Sequence, residues 1–245
     1  MQYKILPVEK VEKIRTNYIQ ITINDEEFAS QCSPGNFFQI KAALASQNRR
    51  LFKPISVFQV EGYHISFIIK VIGPGTRALA SLESGEKLMI YGPLGNSFPL
   101  VQDSNILLVS GGTGYPPLAY LKSKLDSSNN ILFLDGGASK DDIFPCDYAY
   151  TIDGSLGIQG MVTKDIAEFL KKESFDCVYS CGPISMLKTL AQIVSQAKQY
   201  VSMEAYMACG MGVCYGCVIP TIDGYKRVCY DGPVFEAETI LWAEL

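Results

Sequence analysis

The sequence feature that most constrains this chain is a block of cysteines near its C-terminus. Cys209, Cys214 and Cys217 form a C-x4-C-x2-C motif, and Cys229 follows twelve residues later. This is a spacing with which [2Fe–2S] clusters are held, because two irons need thiolates from one wrapped loop and from a separate segment. Glycines between the ligands suit a backbone that runs close to inorganic sulfide: Gly210, Gly212 and Gly216.

Two other uses of the cysteines are open at this point. A structural zinc site also takes four thiolates, but such sites usually pair two C-x2-C knuckles, and this sequence has one. A disulfide framework is typical of secreted chains, and residues 1–10 carry both signs of charge without an apolar core. We therefore expect a cytoplasmic protein with no membrane span, in which the remaining cysteines are reduced thiols: Cys32, Cys146, Cys177 and Cys181.

Length and charge narrow the class of protein. A chain of 245 residues is comfortable for two compact domains and a small module. The net charge is −4 and no basic run is visible, so we expect no nucleic-acid binding. His64 is the sole histidine, which argues against histidine-ligated metals and against histidine acid–base chemistry.

Residues 1–100 are predicted to form a small antiparallel β-barrel. Short alternating segments at 18–24, 36–41, 55–60, 64–72 and 87–91 predict five or six strands. Between the last two segments, Thr76 is expected to cap a helix over 77–83, where Gly75 leaves backbone N–H groups open to an anion. A simple β-to-α turn is the alternative. Residues 92–98 are predicted to be a turn-rich linker.

Residues 101–200 show the pattern of a nucleotide-binding domain. The apolar run 106–110 predicts a strand buried on both faces, and Gly111, Gly112, Thr113 and Gly114 follow it, before a helix from Pro117. Strand, glycine loop and helix is the arrangement that holds a pyrophosphate, although the G-x-G-x-x-G spacing is absent.

The rest of this region continues the alternation of strands and helices. Asp135 ends the strand 131–134, Thr163 is expected to cap a helix over 164–170, and the strand 177–180 leads into Cys181. Pro183 can begin the next helix, which is predicted to reach about 197. The pattern predicts a doubly wound sheet with ligands at the carboxyl ends of its strands.

Taken together, these motifs resemble the ferredoxin–NADP reductase superfamily. The resemblance rests on segments that occur in the family's order: 53–56, 75–76, 92–95, 111–114 with Pro117, and 181–183. With the cysteine block and the ending 229–235 added, the sequence is identified as a member of the electron-transfer subunits of type B dihydroorotate dehydrogenase.

The resemblance implies three cofactor sites. FAD would lie on the barrel, NAD(H) on the α/β domain, and a [2Fe–2S] cluster in a C-terminal module, residues 201–245, at the four cysteines. The family usually has arginine where Lys53 stands, and lysine offers a point charge in place of a two-pronged fork; Arg50 could compensate. The residues implied for FAD are Lys53, Pro54, Ile55, Ser56, Lys70, Val71, Ile72, Gly75 and Thr76. Those implied for NAD(H) are Gly111, Gly112, Thr113, Gly114, Asp135 and Cys181.

The resemblance also implies a reaction and a partner. Electrons would pass from NADH to FAD, to the cluster, and then to a separate FMN-containing dihydroorotate dehydrogenase catalytic subunit in a heterotetramer with two of each. Carboxylates at Asp135, Asp141 and Asp142 predict a preference for NADH over NADPH, although Ser139 and Lys140 can also be read as a phosphate pair. The alternatives are an electron-transfer subunit of a ferredoxin-dependent NADP reductase or a sulfide dehydrogenase, and a non-enzymatic iron–sulfur carrier or redox sensor.

Overall fold

The computed structural model of this chain describes residues 1–43 and 51–245. In that part, the N-terminal region holds eight strands in two four-stranded antiparallel sheets, ordered β1-β8-β4-β5 and β2-β3-β7-β6. The elements are β1 (Gln2–Pro7), β2 (Lys10–Arg15), β3 (Tyr18–Asn24), α1 (Glu26–Gln31), β4 (Phe37–Ala42), β5 (Lys53–Ser56), β6 (Gln59–Glu61), β7 (His64–Lys70), α2 (Pro74–Ala80) and β8 (Lys87–Leu94).

The two sheets enclose one apolar core and form the two halves of a barrel. Inward side chains of both sheets meet there, including Phe38 and Ile90 from one and Ile21 and Phe67 from the other. The predicted strand 55–60 is wrong as a single element, because the chain changes sheets within it. The Val57 N–H donates a hydrogen bond to the carbonyl of Asn36, whereas the Phe58 N–H donates to the carbonyl of Ser66 on β7.

Two further local predictions are wrong in this region. The helix α2 begins at Pro74 instead of residue 77, so Thr76 lies inside its first turn and is not the N-cap residue. Thr76 Oγ1 reaches back to accept hydrogen bonds from the N–H groups of Ile72 and Gly73. Residues 92–94, predicted as linker, continue β8 and pair with β1 and β4.

The second region is built on a seven-stranded sheet with the order β12-β11-β10-β9-β13-β14-β17, in which β17 alone runs antiparallel to its neighbour. Its elements are β9 (Asn105–Gly111), α3 (Tyr115–Lys124), β10 (Asn130–Gly137), β11 (Tyr148–Thr151), β12 (Ile158–Gln159), α4 (Ile166–Lys172), β13 (Cys177–Cys181), α5 (Ile184–Ile193) and β14 (Lys198–Ser202). The chain then adds β15 (Val218–Thr221), β16 (Gly224–Arg227) and β17 (Val234–Glu236).

Helices cover both faces of this sheet, because the strands are apolar on both sides. Leu118 and Leu121 of α3 pack on one face, and Ile166 of α4 and Leu190 of α5 pack on the other. The predicted cap at Thr163 is wrong, since α4 begins after Asp165. Pro183 immediately precedes α5, which ends at Ile193 and not near residue 197.

The C-terminal residues fold over the junction of the two regions. The hairpin β15–β16 stands apart as its own sheet, while β17 returns to pair with β14. The core beneath it joins Cys217 and Cys229 to Val201 of β14 and Tyr91 of β8. The domain limits 1–100, 101–200 and 201–245 stay predictions. Among the described residues, no helix is long and apolar enough to cross a membrane.

Candidate functional site

The four cysteines of the C-terminal block lie in two pairs. The Cys214 N–H donates to Cys209 Sγ at 3.4 Å, and the Cys229 N–H donates to Cys217 Sγ at the same distance. Cys217 and Cys229 are buried, whereas Cys214 is exposed and Cys209 half-buried. None of the four is in a disulfide. One pair therefore faces the protein core, and the other lies toward the surface.

Backbone N–H groups are aimed at these sulfurs. The Gly212 N–H donates to Cys229 Sγ at 3.2 Å. Burial raises the pKa of the Cys209 thiol, but hydrogen bonds from the backbone at Met211, Val213 and Cys214 outweigh it and lower that pKa to about 6. These hydrogen bonds favour the thiolate of Cys209, which is the form that binds metal.

Arg227 fastens the loop that carries three of the cysteines. Its guanidinium holds the Asp231 carboxylate with two N–H groups, at 2.9 and 3.1 Å, and donates to the Gly212 carbonyl at 3.0 Å. It also stacks between two aromatic rings, 5.2 Å from the ring centre of Tyr215 and 4.5 Å from that of Tyr230. The loop is thus anchored to β16 by a residue that sequence reasoning missed.

The barrel contributes a second anchor. The Tyr91 hydroxyl on β8 donates to the Cys209 carbonyl at 2.8 Å. Burial and the nearby cysteine thiolates raise the pKa of Tyr91 to about 12, so it remains a donor at physiological pH. Phe52 packs edge-on against Tyr91, and an open groove lies beside them and Cys209. The cysteine loop is thereby held against the sheet that contains β5.

This donor set fits a binuclear cluster. Each iron of a [2Fe–2S] centre takes two thiolates, so two pairs of cysteines are required. A single zinc ion takes four thiolates around one point, whereas these cysteines lie as two pairs, one buried and one toward the surface. Close packing also explains two glycines in the loop, since a Cβ at Gly210 would strike Gln39 and one at Gly212 would strike Tyr230.

The predicted flavin residues of β5 and α2 are brought together. Lys53 lies across the first turn of α2, because a Cβ at Gly75 would come within 2.5 Å of its Cε. The N–H groups of Gly75 and Thr76 belong to that first turn, where a helix has no partners of its own for them. All four residues of β5 are half-buried. Arg50, which we expect could support Lys53, lies outside the described residues.

Lys70, also predicted to border the flavin, is engaged with the second region. Its Nζ donates to Asp142 Oδ1, which also accepts from the Tyr18 hydroxyl at 2.8 Å. Although burial opposes it, this pairing lowers the pKa of Asp142. Val71 is half-buried and Ile72 is 74% exposed. The cluster of Tyr18, Lys70 and Asp142 ties the barrel to the nucleotide sheet.

The predicted nicotinamide residues meet at the point where the strand order reverses. β9 has β10 on one side and β13 on the other, and the pair Ser110 and Cys181 is in register. The turn Gly112–Gly114 lies so close to the end of β13 that a Cβ at Gly114 would be 2.0 Å from the Cys181 carbonyl oxygen. Ligands of doubly wound sheets bind at such a switch point. Cys181 is buried there, and burial raises its pKa well above the ordinary value.

The structure does not favour the predicted role of Asp135 at a ribose. Its carboxylate is fully buried and accepts from Ser110 Oγ at 2.5 Å and from the Phe144 N–H at 2.9 Å. Burial raises its pKa to about 7. No oxygen of Asp135 is exposed to a ligand. Asp142 is paired with Lys70 and Asp135 is buried. Two of the three carboxylates that predict a preference for NADH are therefore not available to repel the additional phosphate of NADPH.

Glu204 is a second site residue that sequence reasoning missed. Thr113 Oγ1 on the glycine loop donates to its carboxylate at 3.0 and 3.2 Å. Loss of solvation beside the neighbouring protein atoms raises the pKa of Glu204, although the residue is exposed at the surface. The contact spans 91 residues, so only the fold brings the nucleotide loop and the start of the cysteine segment together.

Comparison with known proteins gives the site a context. Residues 204–241 match the family model of the iron–sulfur cluster binding domain of dihydroorotate dehydrogenase B. The dihydroorotate dehydrogenase B (NAD(+)) electron transfer subunit of Fusobacterium nucleatum is 36% identical, over 87% of this chain and 89% of the relative. The corresponding subunit of Bacillus velezensis is 36% identical, over 96% of this chain and 97% of the relative.

Solved structures agree on the architecture. The NADH-dependent reduced ferredoxin-NADP oxidoreductase, described for flavin-based electron bifurcation, superposes with a TM-score of 0.85 at 27% identity, over 99% of this chain and 91% of that one. Phthalate dioxygenase reductase superposes with a TM-score of 0.63 at 14% identity, over 90% and 87%, and shows the fold alone. The predicted fold class, a barrel, a doubly wound domain and a small cysteine module, is confirmed.

Proposed function

This chain belongs to the family of dihydroorotate dehydrogenase B electron transfer subunits, and from that premise we propose that it carries electrons from NADH to a separate catalytic subunit. The observation that carries the proposal is the paired set of four cysteines, held against the barrel, in a chain related to these subunits over nearly its whole length. The chain is an oxidoreductase subunit, and its bound groups are FAD and a [2Fe–2S] cluster, with NAD(H) as substrate.

The cluster ligands proposed are Cys209 and Cys214 on one iron and Cys217 and Cys229 on the other. When bound, FAD accepts a pair of electrons from NADH and releases them singly, which is what a one-electron cluster requires. The chain's own residues hold the two groups close and exclude water. Tyr91 and Arg227 fix the loop, and the buried pair of cysteines keeps one side of the cluster within the core.

For FAD we propose β5 as the strand that runs along the flavin, with Pro54, Ile55 and Ser56 beside it. Lys53 and the N–H groups of Gly75 and Thr76 would meet the pyrophosphate, since the ammonium and the helix start lie at one place. Val71 and Ile72 would border the flavin from the end of β7. Lys70 contributes by joining the barrel to the nucleotide sheet through Asp142.

For NAD(H) we propose the loop Gly111–Gly114 as the pyrophosphate site and Cys181 as the floor beneath the nicotinamide. Thr113 of the same loop donates a hydrogen bond to Glu204. The curated relatives are named for NAD(+), which supports NADH as the reductant here. We exclude Asp135 from direct contact, because its oxygens are engaged inside the protein.

The partner that we propose is an FMN-containing dihydroorotate dehydrogenase subunit of pyrimidine biosynthesis, in a heterotetramer with two of each chain, in the cytoplasm. The electron transfer subunits named above imply a catalytic partner, and the cysteine segment of this chain carries exposed apolar side chains. Val213 is 73% exposed and Tyr206 is 99% exposed. Apolar side chains of this kind mark interaction sites when they cluster.

A binding measurement tests the partner. Val213→Asp and Tyr206→Asp should each weaken binding to the catalytic subunit by at least about tenfold, because they put charge into an apolar contact. Reduction of a dye by NADH should be unchanged in both variants. The matched control is Tyr63→Asp, which changes a tyrosine that is 53% exposed on the barrel. If the wild type and all three variants bind the catalytic subunit with equal affinity, the interface lies elsewhere.

The strongest competing function is the electron-transfer subunit of an NADP-linked complex. The 27% identical oxidoreductase structure supports that alternative, since it covers 99% of this chain. Co-purification of the tagged chain from its own cells separates the two. A dihydroorotate-oxidising FMN protein in the complex supports our proposal, and a subunit that reduces NADP⁺ in its place would contradict it.

A further inference from the structure

The buried side chain of Gln39 has no hydrogen-bond partner. Gln39 lies in the middle of β4 and is fully buried. Neither its amide nitrogen nor its amide oxygen reaches a partner in the part of the chain that the structure describes. Buried side-chain amides in native proteins are nearly always bonded, because leaving them unpaired is costly. A group that is not part of the described chain is therefore expected to satisfy this one.

The position of Gln39 in the sheet shows which site it faces. Alternate residues of β4 point to opposite faces, and Phe38 and Ile40 point into the barrel core. Phe37 packs on the other face, in the core that contains Cys217 and Cys229. Gln39 follows Phe37 at the period of two, so its side chain lies on the face that the cysteine module covers.

Contacts across that face bring Gln39 to the cysteine loop. It pairs in register with Tyr91, whose hydroxyl is already bonded to the Cys209 carbonyl. A Cβ at Gly210 would lie 2.7 Å from both Cγ and Nε2 of Gln39. Gly210 directly follows Cys209, and its φ of +64° turns the backbone at that point. The amide thus lies under the peptide next to a proposed ligand.

On its other side Gln39 pairs in register with Pro54 of β5. Proline has no N–H to offer, and β5 is the strand proposed to run along the flavin. Gln39 accordingly lies between β5 and the pair of cysteines nearer the surface, Cys209 and Cys214. Sulfur atoms of a cluster accept hydrogen bonds, and such bonds tune its potential. The amide has no other hydrogen-bond partner in the described residues, so its N–H groups remain available to a sulfur on this face.

We propose that Gln39 donates a hydrogen bond from Nε2 to a sulfur of the cluster half held by Cys209 and Cys214. The inference rests on the proposed function, because it requires a [2Fe–2S] cluster at these cysteines. A donor stabilises the more negative, reduced cluster over the oxidised one. Gln39 therefore raises the reduction potential and favours the flow of electrons from the flavin side.

The test is an EPR-monitored redox titration of the purified subunit, carrying FAD and cluster, without its partner. Gln39→Met keeps the length of the side chain and removes the donor. We expect the ratio of oxidised to reduced cluster at a fixed potential to rise about tenfold, which is a fall of about 59 mV for a one-electron couple. FAD affinity should be unchanged.

Two variants serve as comparison. Gln199→Leu is the matched control, because Gln199 is also buried with an unpartnered Nε2 but lies on β14; its cluster potential should equal that of the wild type. Gln39→Leu also removes the donor and should lower the potential as far as Gln39→Met. It also supplies the measurement if the methionine variant does not fold.

The outcomes separate this inference from the proposed function. An unchanged cluster potential in loaded Gln39 variants overturns it, and a loss of FAD affinity in them would assign the amide to the flavin. A wild-type protein that holds no cluster would instead refute the proposed function. Pulsed EPR on wild-type protein with ¹⁵N in glutamine side chains gives a direct readout. A side-chain nitrogen coupled to the reduced cluster is expected, and its absence contradicts the hydrogen bond.

Discussion

Substitution of Lys53 should weaken FAD binding without unfolding the barrel. The side chain of Lys53 lies over the first turn of α2, within 2.5 Å of the space that a Cβ at Gly75 would occupy. It is half-buried at the start of β5, and no carboxylate is paired with it among the ion pairs of the described residues. Its ammonium is therefore available for a phosphate.

The size of the effect follows from one charge-assisted contact. Such a hydrogen bond contributes about 1.5–3 kcal/mol, so Lys53→Ala should raise the Kd for FAD about ten- to a hundredfold. Lys53→Arg should bind FAD equally or more tightly, because a guanidinium grips phosphate with two N–H groups. Gly75→Ala should resemble Lys53→Ala in direction, since the added methyl group displaces the lysine side chain.

The assay is fluorescence titration of deflavinated protein with FAD. Lys87→Ala is the matched control, because Lys87 is an exposed lysine at the start of β8 on the same barrel. Thermal unfolding of each apoprotein checks that the fold is intact. If Lys53→Ala binds FAD as tightly as the wild type, the reasoning is refuted and another cation holds the phosphate.

Three other predictions concern the cluster, the junction of the two regions and the nucleotide. Cys217→Ser should abolish the cluster while Cys146→Ser retains it, as measured by iron and acid-labile sulfide per chain; stoichiometric zinc without sulfide in anaerobically purified wild type would contradict this. Asp142→Asn should lower the free energy of unfolding by about 1–3 kcal/mol at pH 7. Because the pKa of Asp142 is lowered by folding, this difference should shrink as the pH falls below the ordinary value of 3.8, and urea unfolding at both pH values checks it. The kcat/KM for NADH with a dye acceptor should exceed that for NADPH, and an equal or higher value for NADPH would favour the NADP-linked alternative.

The cysteine motif and the glycine loop could be predicted from the sequence because each lies within one short, continuous segment. Cys209, Cys214 and Cys217 lie within nine residues, and the run 106–109, shortly before Gly111, is apolar without interruption. Both signals are direct consequences of the chemistry that the segment serves, a wrapped metal centre in one case and a strand buried on both faces in the other. The order of the domains then followed from the order of the motifs.

The strands β1 and β2 could not be predicted because their hydropathy pattern is misleading. In β1 the apolar side chains of Tyr3 and Ile5 are more than half exposed, whereas Lys4 lies inward and pairs with Asp25. The usual rule that apolar residues face the core gives the wrong face here. The break at Val57 was hidden for a similar reason, since alternation continues through it while the chain passes from one sheet to the other.

Contacts between distant segments account for the rest of the site. The approach of Gly210 to Gln39 and the bond from Thr113 to Glu204 each join residues that carry no shared motif. The burial of Asp135 is of the same kind. The sequence predicts Asp135 directly after a strand that ends at 134, but β10 continues to Gly137, and the fold brings Ser110 and Phe144 to its carboxylate.

Anaerobic titration of the FAD- and cluster-loaded chain with NADH tests the central claim most directly. Flavin absorbance and the EPR signal of reduced [2Fe–2S] should be followed in the same samples, before and after addition of the catalytic subunit. We predict that NADH bleaches the flavin, that the cluster signal then appears, and that it declines when the oxidised partner is added. A flavin that NADH does not bleach, or a cluster that stays oxidised while the flavin is reduced, would contradict the proposed route.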